Sequence, residues 1–138
     1  MITRPSFENG IAVIGFTRDS LDASNSKAFK EAVQPVLAQH HRILLDLEAL
    51  QFVDSSGLGA MLSCLRTVHD RGGHLALCAM SKPVRTLFEL VRMYRVFDIY
   101  PTRAEALLVM ERDATPGSGA PHAPTHPSGE NPAPGTET

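Results

Sequence analysis

Two compact apolar runs, His41-Arg42-Ile43-Leu44-Leu45-Asp46-Leu47 and Leu75-Ala76-Leu77-Cys78-Ala79, flank a stretch of helical periodicity. Short, nearly continuous apolar runs of this kind suit strands that are buried on both faces. Between them, Leu58, Met61, Leu62, Leu65 and Val68 recur at the spacing of one helix face, which predicts a helix over about 57–71. Gly72-Gly73 is the punctuation that ends such a helix. A strand–helix–strand unit of this length forms a right-handed crossover, so the two strands should be parallel. The chain is therefore constrained to an α/β layer.

The flanking segments extend that layer. Ile11 to Phe16 reads as a strand, and Phe7 lies in a short partner strand across the hairpin signal Asn9-Gly10. A helix follows, with Ser24 as the expected N-cap and Phe29, Ala32, Val33, Val36 and Leu37 on its apolar face. Pro35 should kink this helix or end it early. Ser81 caps a third helix, with Pro83 in its first turn and Val84, Leu87, Phe88 and Val91 facing the core. A short strand is expected near Val96-Phe97-Asp98-Ile99. The capping box Thr102-x-x-Glu105 opens a last helix carrying Leu107, Leu108 and Val109. The sum is a mixed four- to five-stranded sheet with helices mainly on one face.

With 138 residues, 43% apolar and 20% charged, the chain has room for one globular domain. Its formal charge of -2 comes from Arg112, Asp113, Glu130 and Glu137, and residues 1–111 are neutral. A neutral domain argues against nucleic-acid binding, which draws its affinity from a basic surface. No run approaches the roughly 20 apolar residues of a membrane span. Met1-Ile2-Thr3-Arg4-Pro5 lacks the apolar core of a signal peptide, so a cytoplasmic location without membrane insertion is expected. Residues 112–138 hold six of the ten prolines and, from Thr115 on, no Val, Ile, Leu, Met or aromatic residue. Nothing there offsets the entropy of ordering, so a disordered tail is expected after a domain spanning 1–111.

One segment stands apart: Phe52-Val53-Asp54-Ser55-Ser56-Gly57-Leu58-Gly59. It places Ser55 and Ser56 at a helix N-terminus, where free N–H groups and the helix dipole favour an anion such as phosphate. Gly57 and Gly59 leave the first turn without bulk, which would let another protein's backbone approach. Plain capping by Asp54, Ser55 or Ser56 accounts for the same residues. A nucleophile elbow, a P-loop and an aspartyl phosphoacceptor each need residues that this segment lacks. A serine modified by another protein's active site needs no local catalytic apparatus.

Together with Leu44-Leu45-Asp46-Leu47, Gly72-Gly73-His74-Leu75-Ala76-Leu77-Cys78 and Pro83-Val84-Arg85-Thr86-Leu87-Phe88-Glu89-Leu90, this segment resembles the STAS domain of bacterial anti-sigma factor antagonists. The resemblance implies a STAS-like fold and a partner-switching protein that is not an enzyme and needs no cofactor. It implies that Ser55 is phosphorylated by an anti-sigma factor serine kinase and dephosphorylated by a PPM-type serine phosphatase. The unphosphorylated form would sequester the kinase through Asp22, Asp54, Ser55, Ser56, Gly57, Leu58 and Gly59. In place of the glycine usual before the family's Leu-Asp pair, the chain has Thr17-Arg18-Asp19-Ser20 before Leu21-Asp22. Two other classes remain open: a STAS subunit of a lipid or anion transport complex, and a small serine hydrolase.

The remaining polar residues read as structural or solvated. Cys64 and Cys78 sit in apolar patterns and read as buried hydrophobes. His40 and His41 are adjacent and point apart, which disfavours a shared metal, His69 and His74 flank the Gly-Gly turn and read as solvated, and His122 and His126 in the tail are two unanchored imidazoles that make a weak metal site. Lys82, Arg85, Arg92, Arg95 and Arg103 outnumber Glu89 and Asp98, which suits a partner-docking face or, more simply, a solvated one. Truncation after Asp113 should leave the melting midpoint within a few degrees, because the lost residues carry almost no apolar area. A fall of about ten degrees in a thermal melt would show instead that the tail packs on the domain.

Overall fold

A computed structural model describes residues 1–113 of the chain; the expected disordered tail lies outside the described residues, apart from Arg112 and Asp113. Twelve segments follow in order: β1 (Ser6–Glu8), β2 (Ile11–Ile14), β3 (Ser20–Leu21), α1 (Ser26–Gln39), β4 (Arg42–Asp46), β5 (Phe52–Val53), α2 (Ser55–Asp70), β6 (His74–Cys78), α3 (Lys82–Leu90), a 3-10 turn (Met93–Arg95), β7 (Asp98–Tyr100) and α4 (Arg103–Asp113). The main sheet has the order β1-β2-β4-β6-β7, antiparallel only between β1 and β2. The hairpin turns at Asn9 and Gly10, both at positive φ, as its two-residue loop requires. The crossover β4–α2–β6 is parallel, with Ile43 opposite Leu75 and Leu45 opposite Leu77.

Alternation along these strands fills two cores. Ala12, Ile14, Ile43, Leu45, Leu75 and Leu77 face α1, α2 and α3. Ile11, Val13, Leu44, Ala76 and Cys78 face α4 through Ala106 and Met110. Three helices thus cover one face and α4 the other, which is why β4 reads as apolar throughout. Burial pushes the Cys64 and Cys78 thiols up to about 12, so both behave as inert hydrophobes.

Several boundaries differ from the sequence pattern. The N-cap of α1 is Asn25, because the Ser24 hydroxyl donates to Asp22 instead (2.5 Å). Pro35 does not end α1, which runs on to Gln39. The residue a turn earlier, Glu31, is exposed, so water can take the carbonyl that Pro35 leaves unbonded. Val91 is 40% exposed because α3 stops at Leu90, and Val96 lies outside β7 with 47% exposure. On α4, Leu108 faces solvent, while Ala106 and Met110, one turn apart, make the contact. Thr102 does cap this helix, its hydroxyl accepting from the Glu105 N–H at 3.1 Å.

Two residues read as solvated are engaged. His74 shares a hydrogen bond with Asp98 at 2.6 Å, which ties the start of β6 to β7. Arg103 reaches back to the buried carboxylate of Asp46 at 3.1 Å and lies 3.8 Å from Glu8. That bridge fixes the first turn of α4 to the end of β4. Leu45 is 1% exposed at the centre of the larger core. Leu45→Ala should therefore cost about 2–5 kcal/mol in a denaturant titration, and a variant as stable as its parent would refute this placement.

Candidate functional site

The site forms where the chain passes twice beside itself. β3 and β5 are each two residues long and pair in parallel, Ser20 with Phe52 and Leu21 with Val53. Around them the Asp19 carbonyl accepts from the N–H groups of Gln51 (2.7 Å) and Phe52 (3.2 Å), and the Leu21 carbonyl from Asp54 (3.2 Å). This small ladder brings the loop after β3, which carries Asp22, against the start of α2. Its strands are too short to show any periodicity, so sequence pattern alone does not reveal it.

Asp54 is the N-cap of α2, which begins at Ser55 rather than Gly57. One carboxylate oxygen of Asp54 accepts from the Gly57 N–H at 2.9 Å, and the other from the Ala23 N–H at 3.2 Å. The same side chain therefore caps the helix and holds the neighbouring loop. Ser55 and Ser56 follow, both exposed. Among the described residues neither hydroxyl is hydrogen-bonded to a histidine, and the two N–H groups open the helix without a protein acceptor.

Asp22 organises its own loop. Its carboxylate accepts from the Ser24 N–H (2.9 Å), the Ser24 hydroxyl (2.5 Å) and the Ser20 hydroxyl (3.2 Å). The Ser24 hydroxyl and then its backbone N–H hold the Asp22 carboxyl below its ordinary value. Such a group supports the fold above its unfolded pKa, and the support is lost as pH falls through the lowered folded value.

The two glycines play different parts. A Cβ on Gly57 would sit 2.3 Å from the Leu21 carbonyl oxygen and 2.9 Å from Val53, so Gly57 is buried against the β3 loop and offers a partner no access. Leu58 likewise packs partly buried against the core. Gly59 meets nothing within 4 Å and keeps the exposed side of the turn low. Beside it a groove of about 850 Å³ runs between α1 and α2, lined by Ala23, Ser26, Lys27, Ser56, Gly59 and Ser63 among others. Phe52, 54% exposed and next but one to Asp54, adds an apolar ring near the cap, a role that the sequence pattern did not assign to it. An aromatic residue two positions before a capping aspartate was the available signal. No group of three or more metal-ligating side chains occurs among the described residues.

A five-stranded mixed sheet with an exposed serine pair opening the helix between two parallel strands defines a class of small α/β domains. The STAS domain family model matches residues 7–106. An anti-sigma F factor antagonist of Paenibacillus polymyxa is 36% identical over 81 residues, which span 59% of this chain and 68% of that relative. The solved structure of an anti-sigma-factor antagonist (STAS) domain protein of Planctomyces limnophilus superposes with a TM-score of 0.70 at 25% identity, over 78% of this chain and 96% of its own. A Bacillus cell fate determinant, solved in its phosphorylated form, shares the fold with a TM-score of 0.59 at 22% identity, over 78% of this chain and 97% of its own. The chain belongs to the STAS domain family, among the anti-sigma factor antagonists.

Gly57→Ala and Gly59→Ala should separate packing from access. The first forces a Cβ onto a carbonyl and should destabilise by about 1–3 kcal/mol or more. The second removes backbone freedom at an open helical position and should stabilise by up to about 1 kcal/mol. Paired thermal melts give the comparison, and equal midpoints would mean that Gly57 does not face Leu21.

Proposed function

We propose that this protein is an anti-sigma factor antagonist that works by partner switching, without catalysing a reaction itself. In its unphosphorylated form it binds and sequesters an anti-sigma factor that is a serine kinase. That kinase phosphorylates Ser55, which breaks the complex, and a PPM-type serine phosphatase restores the binding form. The observation that carries this reading is the exposed Ser55 beside the Asp54 cap at the first turn of α2, open to another protein's active site. Kinship with the Paenibacillus polymyxa anti-sigma F factor antagonist supports it.

The partner's footprint takes in Ser55, Ser56 and Gly59, with Asp54 and the Asp22 loop beside them and the α1–α2 groove behind. Gly57 and Leu58 contribute from within by shaping the turn. A phosphate adds about -1.5 to -2 charges at Ser55. The free N–H groups of Ser55 and Ser56 and the helix dipole offset part of this, by about 0.3–1 kcal/mol, so the free domain tolerates it. Asp54 has already taken the Gly57 N–H, however, and its charge lies beside the new one. A docked partner must then desolvate the phosphate or meet it with like charge, at several kcal/mol. At about 1.4 kcal/mol per decade, binding weakens by two or more orders of magnitude.

Ser55→Ala should bind the kinase and never be released by phosphorylation, and Ser55→Asp should fold normally but bind poorly. Ser56→Ala should still accept phosphate. Peptide mapping after reaction with the kinase and ATP decides among these. Phosphate on Ser56 alone overturns the assignment, and phosphate on neither serine removes the partner-switch reading for that kinase.

A further inference from the structure

The end of α3 and the turn after it carry a surface that the serine site does not use. Leu90 is 77% exposed, Val91 40%, Tyr94 46% and Val96 47%, so four large apolar side chains within seven residues face solvent. Single exposed apolar residues are ordinary, but several gathered in one short exposed segment are characteristic of an interaction surface. Arg92 and Arg95 lie within this segment and Arg85 lies over one turn before it, all exposed, with Glu89 as the one carboxylate between positions 85 and 96. Among the described residues none of these three arginines forms an ion pair.

The backbone adds a second observation. Arg92 adopts the left-handed conformation at φ 61°, immediately after the C-cap Val91. Glycine is the residue that takes this position without steric cost. The chain instead keeps a guanidinium there, directly at the rim of the apolar cluster. A conformational cost retained in that way points to a use for the side chain.

The position separates this face from Ser55. α3 starts near β5, where the Ser81 hydroxyl donates to the Leu50 carbonyl at 2.7 Å. It ends at the opposite end of the strands, where Asp98, the first residue of β7, meets His74, the first residue of β6. We infer that the Leu90–Val96 turn is a second docking surface, for a protein whose contact segment sets carboxylates around an apolar centre. An apolar centre with a charged rim is the usual anatomy of a protein interface, and three unpaired guanidiniums select an acidic counterpart. A partner seated here leaves Ser55 open, so the surface does not depend on the reading given to that serine.

The test is a photoreactive benzoylphenylalanine in place of Tyr94, in the full chain in its native host, with the same group at exposed Leu108 on α4 as the control. The expected result is a discrete protein adduct absent from the control, whose crosslinked peptide carries a net negative charge. Arg92→Glu combined with Arg95→Glu should lower its yield by about tenfold or more, as should Leu90→Ser, with melting midpoints showing that both variants fold. Ser55→Asp should leave the yield unchanged. Absence of an adduct beyond the control, an adduct to a second copy of this chain or to lipid, a contact peptide without excess carboxylates, or a yield indifferent to charge reversal would each overturn the proposal.

Discussion

A missing side chain at Gly57 sets the entry of α2, and much of the site depends on it. The Leu21 carbonyl occupies the space where a Cβ would stand. That close approach lets β3 lie against β5, and it lets the Asp54 carboxylate reach both the Gly57 and the Ala23 N–H groups. With a larger residue the helix would have to move away, the bridge from Asp54 to the Asp22 loop would break, and Ser55 would lose its fixed surroundings. The glycine acts from inside, and the exposure of the serines is its outcome.

The central crossover was legible because burial on both faces leaves an unambiguous apolar run. Ile43, Leu44 and Leu45 alternate between the two cores, and Leu75, Ala76 and Leu77 match them in register. The hairpin at Asn9-Gly10 and the cap at Thr102 were legible through local backbone chemistry. Ends of elements were not. Nothing in the pattern separates Ser24 from Asn25 as a cap once Asp22 competes for the serine hydroxyl. Nor does it show that Ala106 and Met110, with Leu107 beside them and Leu108 left in solvent, turn toward the sheet. That choice follows from where Arg103 anchors the helix on Asp46.

At the site, sequence located the serine pair and its capping aspartate but could not assign the glycines. Both look alike in a helix first turn, and only the third dimension shows that one faces a carbonyl and the other faces open space. The Asp22 loop is some thirty residues away along the chain, and its place beside Asp54 comes from a two-residue ladder that carries no periodic signal. Long-range pairings of this size are set by the surrounding fold rather than by their own residues.

If Ser55 is the phosphorylated residue of the switch proposed above, its exposure also sets how quickly that mark can be read. Ser55 is not packed into either core, and its side chain holds no other element in position. Adding or removing charge there requires no repacking of the sheet and no passage through a partly unfolded state. The response time of such a surface is therefore that of diffusion, orientation and dissociation between proteins. In the switch proposed above, such a scaffold would keep its memory in the lifetime of the phosphate on Ser55, with none stored in an alternative shape.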